Sequence, residues 1–283
     1  MTDLAARTGR VASFAGLRGT GWATRAALLV LLAVAVLAVA GPALAPQDPL
    51  AQNPAAALQE PSLTHLLGTD YLGRDVLSRL FAGAPASLLS AVSAALIGLL
   101  LGAVPGALSA FVPRAAEWLS LRAVDALLAL PFILFAIVFA ALLGNGLVQA
   151  TLAIGILVAP GFFRIARAAT LRVRDSQYID AAGYLGASSW WILSRHVWRQ
   201  VAPTLVVASV SALGGALLAV ASLTFLGIGV QPPAPTWGGM LSSDLGYLGQ
   251  RPWGPVAPAL AIILTVGALN LVADAARDGL AHV

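Results

Sequence analysis

Residues 86–111 read ASLLSAVSAALIGLLLGAVPGALSAF, an apolar run without one charged side chain. Its length satisfies the ~20 residues an α-helix needs to cross the hydrocarbon core of a bilayer. An open strand cannot take its place, because backbone N–H and C=O groups in lipid must bond inside the protein. Gly98, Gly102 and Gly106 recur at every fourth position and share one helical face, which predicts close approach of another helix. Outward from this run, similar segments recur at Ala23–Ala45, Leu119–Leu143, Leu147–Ile165, Pro203–Gly229 and Val256–Ala276. The expectation is an all-α polytopic membrane protein with six transmembrane helices. In the fifth segment Ser211, Gly215 and Ala219 repeat the small-residue spacing.

Composition agrees. Of 283 residues 59% are hydrophobic and 10% charged, with a mean hydropathy of +0.88. So little charge cannot cover a chain of this size in water, and lipid is the natural solvent. All 16 basic residues are Arg. Without lysine the chain can hold neither a phosphate-binding P-loop nor a Schiff base, so any ATP must be bound by another polypeptide. The absence of Cys excludes thiol nucleophiles and disulfides. His65, His196 and His282 show no ligand spacing, so no metal is expected. The arginines are scattered among apolar runs rather than gathered with aromatics, which argues against nucleic acid.

Arginine also sets orientation. With the N-terminus in the cytoplasm, only Arg74, Arg79 and Arg251 lie outside, and the other thirteen of the 16 lie within. The resulting organisation is a cytoplasmic Arg-rich tail over 1–22, a first transmembrane helix over 23–45, an extracytoplasmic segment over 46–85 and a five-helix core over 86–283. An even number of spans returns the C-terminus to the cytoplasm. The first segment has a second reading, since its Arg-rich start and Ala43-Leu44-Ala45 also fit a cleavable signal peptide.

Several polar residues stand out. Asp70, Arg74, Asp75 and Arg79 form i, i+4 pairs, which predict a short amphipathic helix over Gly68–Ala82 on the outer surface. Asp125 and Asp274 sit at the edges of apolar segments, with Arg122 and Arg277 three positions away as partners. Asn145, Gln149, Thr151 and Asn270 could line a polar translocation path, or bond between helices. Trp237 and Trp253, in an outer loop rich in Pro and Gly, read as interfacial anchors.

The connection from Arg164 to Pro203 is different in kind. Six arginines and two aspartates surround an Ala-rich middle, Tyr178 to Ser188, which reads as a short helix ended or bent at Gly186. From Ser189 to Val201, Trp190, Trp191 and Trp198 alternate with Arg195, His196 and Arg199, an amphipathic pattern suited to headgroup depth. This is either a basic loop anchored by Trp or a docking element for a soluble partner.

Asp180-Ala181-Ala182, three residues, then Gly186 resembles the Glu-Ala-Ala-x3-Gly (EAA) loop of bacterial ABC importer permeases. Three further stretches resemble the second subunit of the dipeptide/oligopeptide/nickel permeases. They are His65 to Leu80 with Gly83-Ala84 and Ser87-Leu88, Val124 to Leu128 before Pro131, and Ser222 to Pro233 with Thr236-Trp237-Gly238 and Pro252-Trp253. The resemblance covers roughly residues 24–280. Asp180 stands where the family usually has Glu, Arg199 where it often has Pro, and Asp278-Gly279-Leu280 replaces an Asp-Pro finish.

The resemblance implies a type I ABC importer permease fold. The chain would pair with a second homologous permease subunit and sit in membrane lipid above two ABC ATPase subunits. An extracytoplasmic substrate-binding protein would deliver peptides or a similar small solute. ATP and Mg would bind only the partner subunits, with no cofactor on this chain, which is not itself an enzyme. Tyr178, Asp180, Ala181, Ala182, Leu185 and Gly186 would be the ATPase-coupling residues of a cytoplasmic loop over 170–202. Asn145, Gln149 and Asn270 remain the candidates for the path. The alternative is an ion-coupled carrier, or another polytopic protein with no ATPase partner.

Overall fold

The computed structural model describes residues 21–281 except 175, 178, 180–183 and 231. Among the described residues, eight helices of eight residues or more stand out: α1 (Trp22–Leu44), α2 (Val76–Leu108), α3 (Arg114–Ala129), α4 (Phe132–Leu143), α5 (Leu147–Arg174), α6 (Trp198–Phe225), α7 (Trp237–Asp244) and α8 (Trp253–Ala281). A helical turn at Ser189–Ile192 and a π-helical turn at Leu193–Val197 lead directly into α6. No strand occurs among the described residues, where a single isolated bridge joins Thr69 and Asp75.

Among the described residues, five helical stretches are long and apolar enough to cross a membrane: Trp22–Leu44, Val76–Leu108, Leu147–Arg174, Trp190–Phe225 and Trp253–Gly279. The six expected spans are reached only by counting α3 and α4, which meet at 93°, as one broken span. The sequence suggested one continuous helix over Leu119–Leu143. Pro131 breaks it, forcing Leu130 into extended backbone (ψ 128°). Proline disfavours helical geometry in the residue before it. Other boundaries also move. α2 begins at Val76, ahead of the expected Ala86, and α5 runs past Ile165 to Arg174.

The close helix approach predicted at the glycines is made by α5. A Cβ built on Gly98 would lie 3.1 Å from the Gly155 carbonyl oxygen, on Gly102 2.1 Å from that of Ala159, and on Gly106 2.4 Å from that of Phe163. Lipid tails are as apolar as leucine, so helices in a bilayer associate through van der Waals packing, which small residues maximise. The stripe on α6 behaves otherwise. Gly214 faces Val266 and Leu269 of α8, whereas Gly215 meets nothing within 4 Å.

Two buried clusters follow. One joins Leu88, Ala91 and Ala94 of α2, Ile154 of α5, Leu217 and Val220 of α6, and Trp237. The other joins Ala103 and Ala107 to Phe162, Ala166, Ile179, Leu193, Val197, Val201 and Leu205.

Residues 68–75 do not form the expected surface helix. Gly73 turns the chain at φ +73°, with its α-carbon so close to the Asn53 carbonyl that a Cβ would lie 1.8 Å from that oxygen. Asp75 becomes the N-cap of α2, accepting from the Ser78 N–H at 2.8 Å and the Ser78 hydroxyl at 2.6 Å. Capping by Asp satisfies donors that the first helical turn leaves open.

Candidate functional site

Between α5 and the Ser189–Ile192 turn the described residues contrast sharply in burial. Ile179 is 5% exposed and packs in the cluster with Leu193 and Val197. On the return limb, Ser188 starts the helical turn by accepting from the Trp191 N–H at 3.2 Å. Between these anchors Tyr184 and Leu185 are 92% and 89% exposed. Gly186 follows at φ +84°, a conformation most side chains resist, with open space where a Cβ would stand. A tyrosine and a leucine beside a glycine turn are thus left exposed together. Of the expected coupling residues, Leu185 and Gly186 are on this tip, while Tyr178, Asp180, Ala181 and Ala182 lie outside the described residues.

The flanks expected as loop are helical, at Leu171–Arg174 and again from Ser189. Leu193, Val197, Val201 and Leu205, spaced by four, bury one face of the return helix, while Trp190, Trp191, Arg195 and Arg199 stay exposed. The amphipathic reading of 189–201 therefore holds.

Arginines on α5 clamp that helix to the end of α2 and to α3. Arg167 donates to the Ser109 carbonyl and hydroxyl, each at 2.9 Å, and pairs with Glu117. Arg174 donates to the Ala110 carbonyl. Arg164 meets Asp125 at 2.9 Å, and Arg122 meets the same carboxylate at 3.1 Å. The end of α2, helix α3 and helix α5 are thus cross-linked beside the tip, so a push there would move them together. Sequence reasoning paired Asp125 with Arg122 but missed the contacts of Arg164, Arg167 and Arg174. Their signal was a spacing of three and seven, which keeps all three on one helical face. The expected Asp274–Arg277 pair forms at 3.3 Å.

At the opposite end, α2, α7 and the segment before α2 share a charged cluster. Asp70 accepts from Arg74 Nε at 2.6 Å and from the Arg74 and Leu72 N–H groups at 2.9 Å, and lies 3.5 Å from Arg79 Nε. Arg79 donates to the Pro49 carbonyl at 3.1 Å and that of Pro233 at 3.5 Å, tying three segments together. His65 Nδ1 lies 3.0 Å from Asp75. Asp70, Arg74, Asp75 and Arg79 are all at most 5% exposed, so they are an internal fastening rather than a surface helix. Asp244, also buried, has its carboxyl pushed up to about 6, mainly by burial and then by Asp70, with Arg79, Ser243 and Arg74 opposing. Trp237 is no interfacial anchor. It is 1% exposed, with its indole N–H on the Leu80 carbonyl at 3.0 Å. Trp253 remains 43% exposed.

The candidate path residues are dispersed. Asn145 donates to the Gly227 carbonyl at 3.0 Å and accepts from the Gly229 N–H at 2.7 Å, clasping the turn after α6. Gln149 folds its carboxamide over Gly146, and Asn270 lies exposed on α8 beside Gly214. No hydrogen bond joins the three among the described residues. No group of His, Asp or Glu suited to a metal occurs among those residues either.

Residues 98–282 match the family described as binding-protein-dependent transport system inner membrane component. The chain is 39% identical over 259 residues to the di/tripeptide transport system permease protein DppC of Pseudomonas aeruginosa (strain UCBPP-PA14), covering 89% of this chain and 86% of that protein. It is 38% identical over 220 residues to the glutathione transport system permease protein GsiD of Pectobacterium atrosepticum, covering 78% and 73%. To the probable D,D-dipeptide transport system permease protein DdpC of Escherichia coli K12 it is 34% identical over 262 residues, covering 93% and 88%.

Proposed function

This chain belongs to the family of binding-protein-dependent transport system inner membrane components and is the permease subunit of an ABC importer, and from that premise we propose that it carries peptides or a similar small solute inward, driven through the tip at Tyr184–Gly186. The single observation behind the driving point is the tip itself. Tyr184 and Leu185 are exposed while Ile179 and Leu193 are buried, and the arginines of α5 bind that helix to the end of α2 and to α3. An ATPase subunit that grips the tip levers α5 and the return helix as one body. Arg167 and Arg174 pass that displacement to the end of α2, and Arg167 and Arg164 pass it to α3.

Two ATPases, each holding ATP and Mg, serve this chain and a second homologous permease, and an extracytoplasmic binding protein supplies the cargo. The chain itself performs no chemistry. The tip faces the cytoplasm together with both termini, in keeping with the arginine distribution. Relatives named for di/tripeptide, D,D-dipeptide and glutathione transport support a peptide-like cargo. Asn145, Gln149 and Asn270 remain proposed contacts along its path.

The test is Gly186→Val in the assembled transporter. The positive φ strains a branched side chain, yet the open space around it leaves insertion and packing undisturbed. Uptake driven by ATP should fall to background, with membrane-inserted protein at the wild-type level. Undiminished uptake by that variant removes the tip from the mechanism.

A further inference from the structure

A second feature lies beside the return helix and is not used by the coupling tip. A groove of about 230 Å³ opens between α2 and the segment leading into α6, lined by Val104, Trp190, Leu193, Ser194 and Trp198. Ser194, its only polar side chain, turns its hydroxyl back onto the Trp191 carbonyl at 3.2 Å, which leaves the walls apolar. The mouth is open: Trp190 is 62% exposed, and Val104 and Trp198 are each 37% exposed.

The walls belong to two environments. Val104 ends an exposed row on α2, Leu89, Val92, Leu96 and Leu100, spaced by three or four residues along one face of a membrane-length helix. The facing wall carries fixed charge. Arg195 and Arg199, four residues apart, are the chain neighbours of the lining residues Ser194 and Trp198. Both are exposed, and neither forms an ion pair with a described residue, whereas Arg122, Arg164, Arg167 and Arg277 all do. The π-helical turn at Leu193–Val197 lies within this wall and sets Trp191 against the His196 ring at 5.0 Å. Such turns are rare and gather at functional sites.

We propose that this groove binds an anionic phospholipid, with an acyl chain between Val104 and the two tryptophans and the phosphate on Arg195 and Arg199. A slot continuous with an exposed apolar row of a membrane-length helix, with two exposed arginines next in the chain to its lining residues, fits a ligand that is itself half apolar and half anionic. A soluble anion would leave the slot empty, and a zwitterionic lipid would gain less from the arginines. Tryptophan at headgroup depth and basic pockets between transmembrane helices are the chemistry of such sites.

The assembled transporter is placed in nanodiscs containing trace phosphatidylglycerol or phosphatidylcholine with the same diazirine-bearing acyl chain, and photo-adducts are mapped by mass spectrometry. Phosphatidylglycerol should label Val104 and Trp190–Trp198 more than phosphatidylcholine at equal mole fraction. Arg195→Gln and Arg199→Gln should each lower that preference about fivefold, the weight of one surface arginine near anionic lipid. Arg195→Lys with Arg199→Lys should keep it. Equal labelling by both lipids, or a preference that survives both Gln substitutions, overturns the proposal. So does the absence of lipid adducts with Trp190 cross-linked to a neighbouring subunit, which would make the groove a protein interface.

Discussion

Replacing Gly102 by Ala adds one methyl group where α2 and α5 nearly touch. The new Cβ would stand 2.1 Å from the Ala159 carbonyl oxygen, 2.8 Å from Phe162 Cβ and 2.9 Å from Phe163 N. An ordinary carbon–oxygen contact needs about 3.3 Å, so the helices must part by roughly 1 Å. Gly98 and Gly106 also lie against the same helix, at 3.1 and 2.4 Å, so the seam has little room to relax by sliding. A gap of 0.5–1 Å forfeits about a quarter to a half of each dispersion contact along the seam. The expected loss is about 1–3 kcal/mol, in the range of other overpacked cores. Gly161→Ala is the control, since that glycine lies exposed on the same α5 with nothing within 4 Å. It should gain about 0.5–1 kcal/mol from reduced backbone freedom. Thermal unfolding of the detergent-solubilised permease measures both. A Gly102→Ala protein that melts with or above wild type, or a Gly161→Ala protein that loses as much, refutes the close-packing argument.

Three further outcomes follow from named groups. Asp244 has a folded-state value near 6 against an ordinary 3.8, so the folded protein binds its proton more tightly than the unfolded chain. Its contribution is greatest below pH ~4 and fades as pH rises through about 6, leaving up to about 3 kcal/mol of cost at pH 7. Asp244→Asn should therefore raise the melting temperature at pH 7 and flatten its dependence between pH 4 and 7, and an unchanged profile would refute the assignment. Thr170 is fully buried on α5 and its hydroxyl has no partner among the described residues, so Thr170→Val should be neutral or stabilising by up to about 2 kcal/mol in the same melt, and a clear loss would reveal a hidden partner. Arg167→Gln should lower uptake more than it lowers expression, because it loosens the Ser109 and Glu117 clamp while leaving the tip intact, and wild-type uptake would show the clamp is dispensable.

The helices and their main seam could be read before any coordinates, because lipid imposes long apolar runs and a glycine every fourth residue leaves few uses. The misreadings share a cause. Asp70–Arg74 and Asp75–Arg79 have helical spacing, yet the positive-φ turns at Gly68 and Gly73 make the first pair a loop contact. Asp75 spends its carboxylate on the α2 cap and His65, while Arg79 turns to Asp70. Spacing alone cannot show which partner wins. Trp237 looked like an anchor because its burial depends on the shelf formed by Gly83 and Ser87, far away in sequence. At the tip, glycine geometry at 186 was legible, whereas the buried Ile179 root and the arginine clamp needed α2 and α3 in place.

The chain has no cysteine, so Leu185→Cys gives one unique thiol on the exposed tip. Cross-linking this position in inside-out vesicles of the whole transporter addresses directly what seizes it. The account predicts a single cross-linked product with the ATPase subunit, and protection from soluble thiol reagents while that subunit is bound. A thiol that reacts only with reagents added from the extracytoplasmic face, or that stays fully reactive beside a bound ATPase, would contradict it.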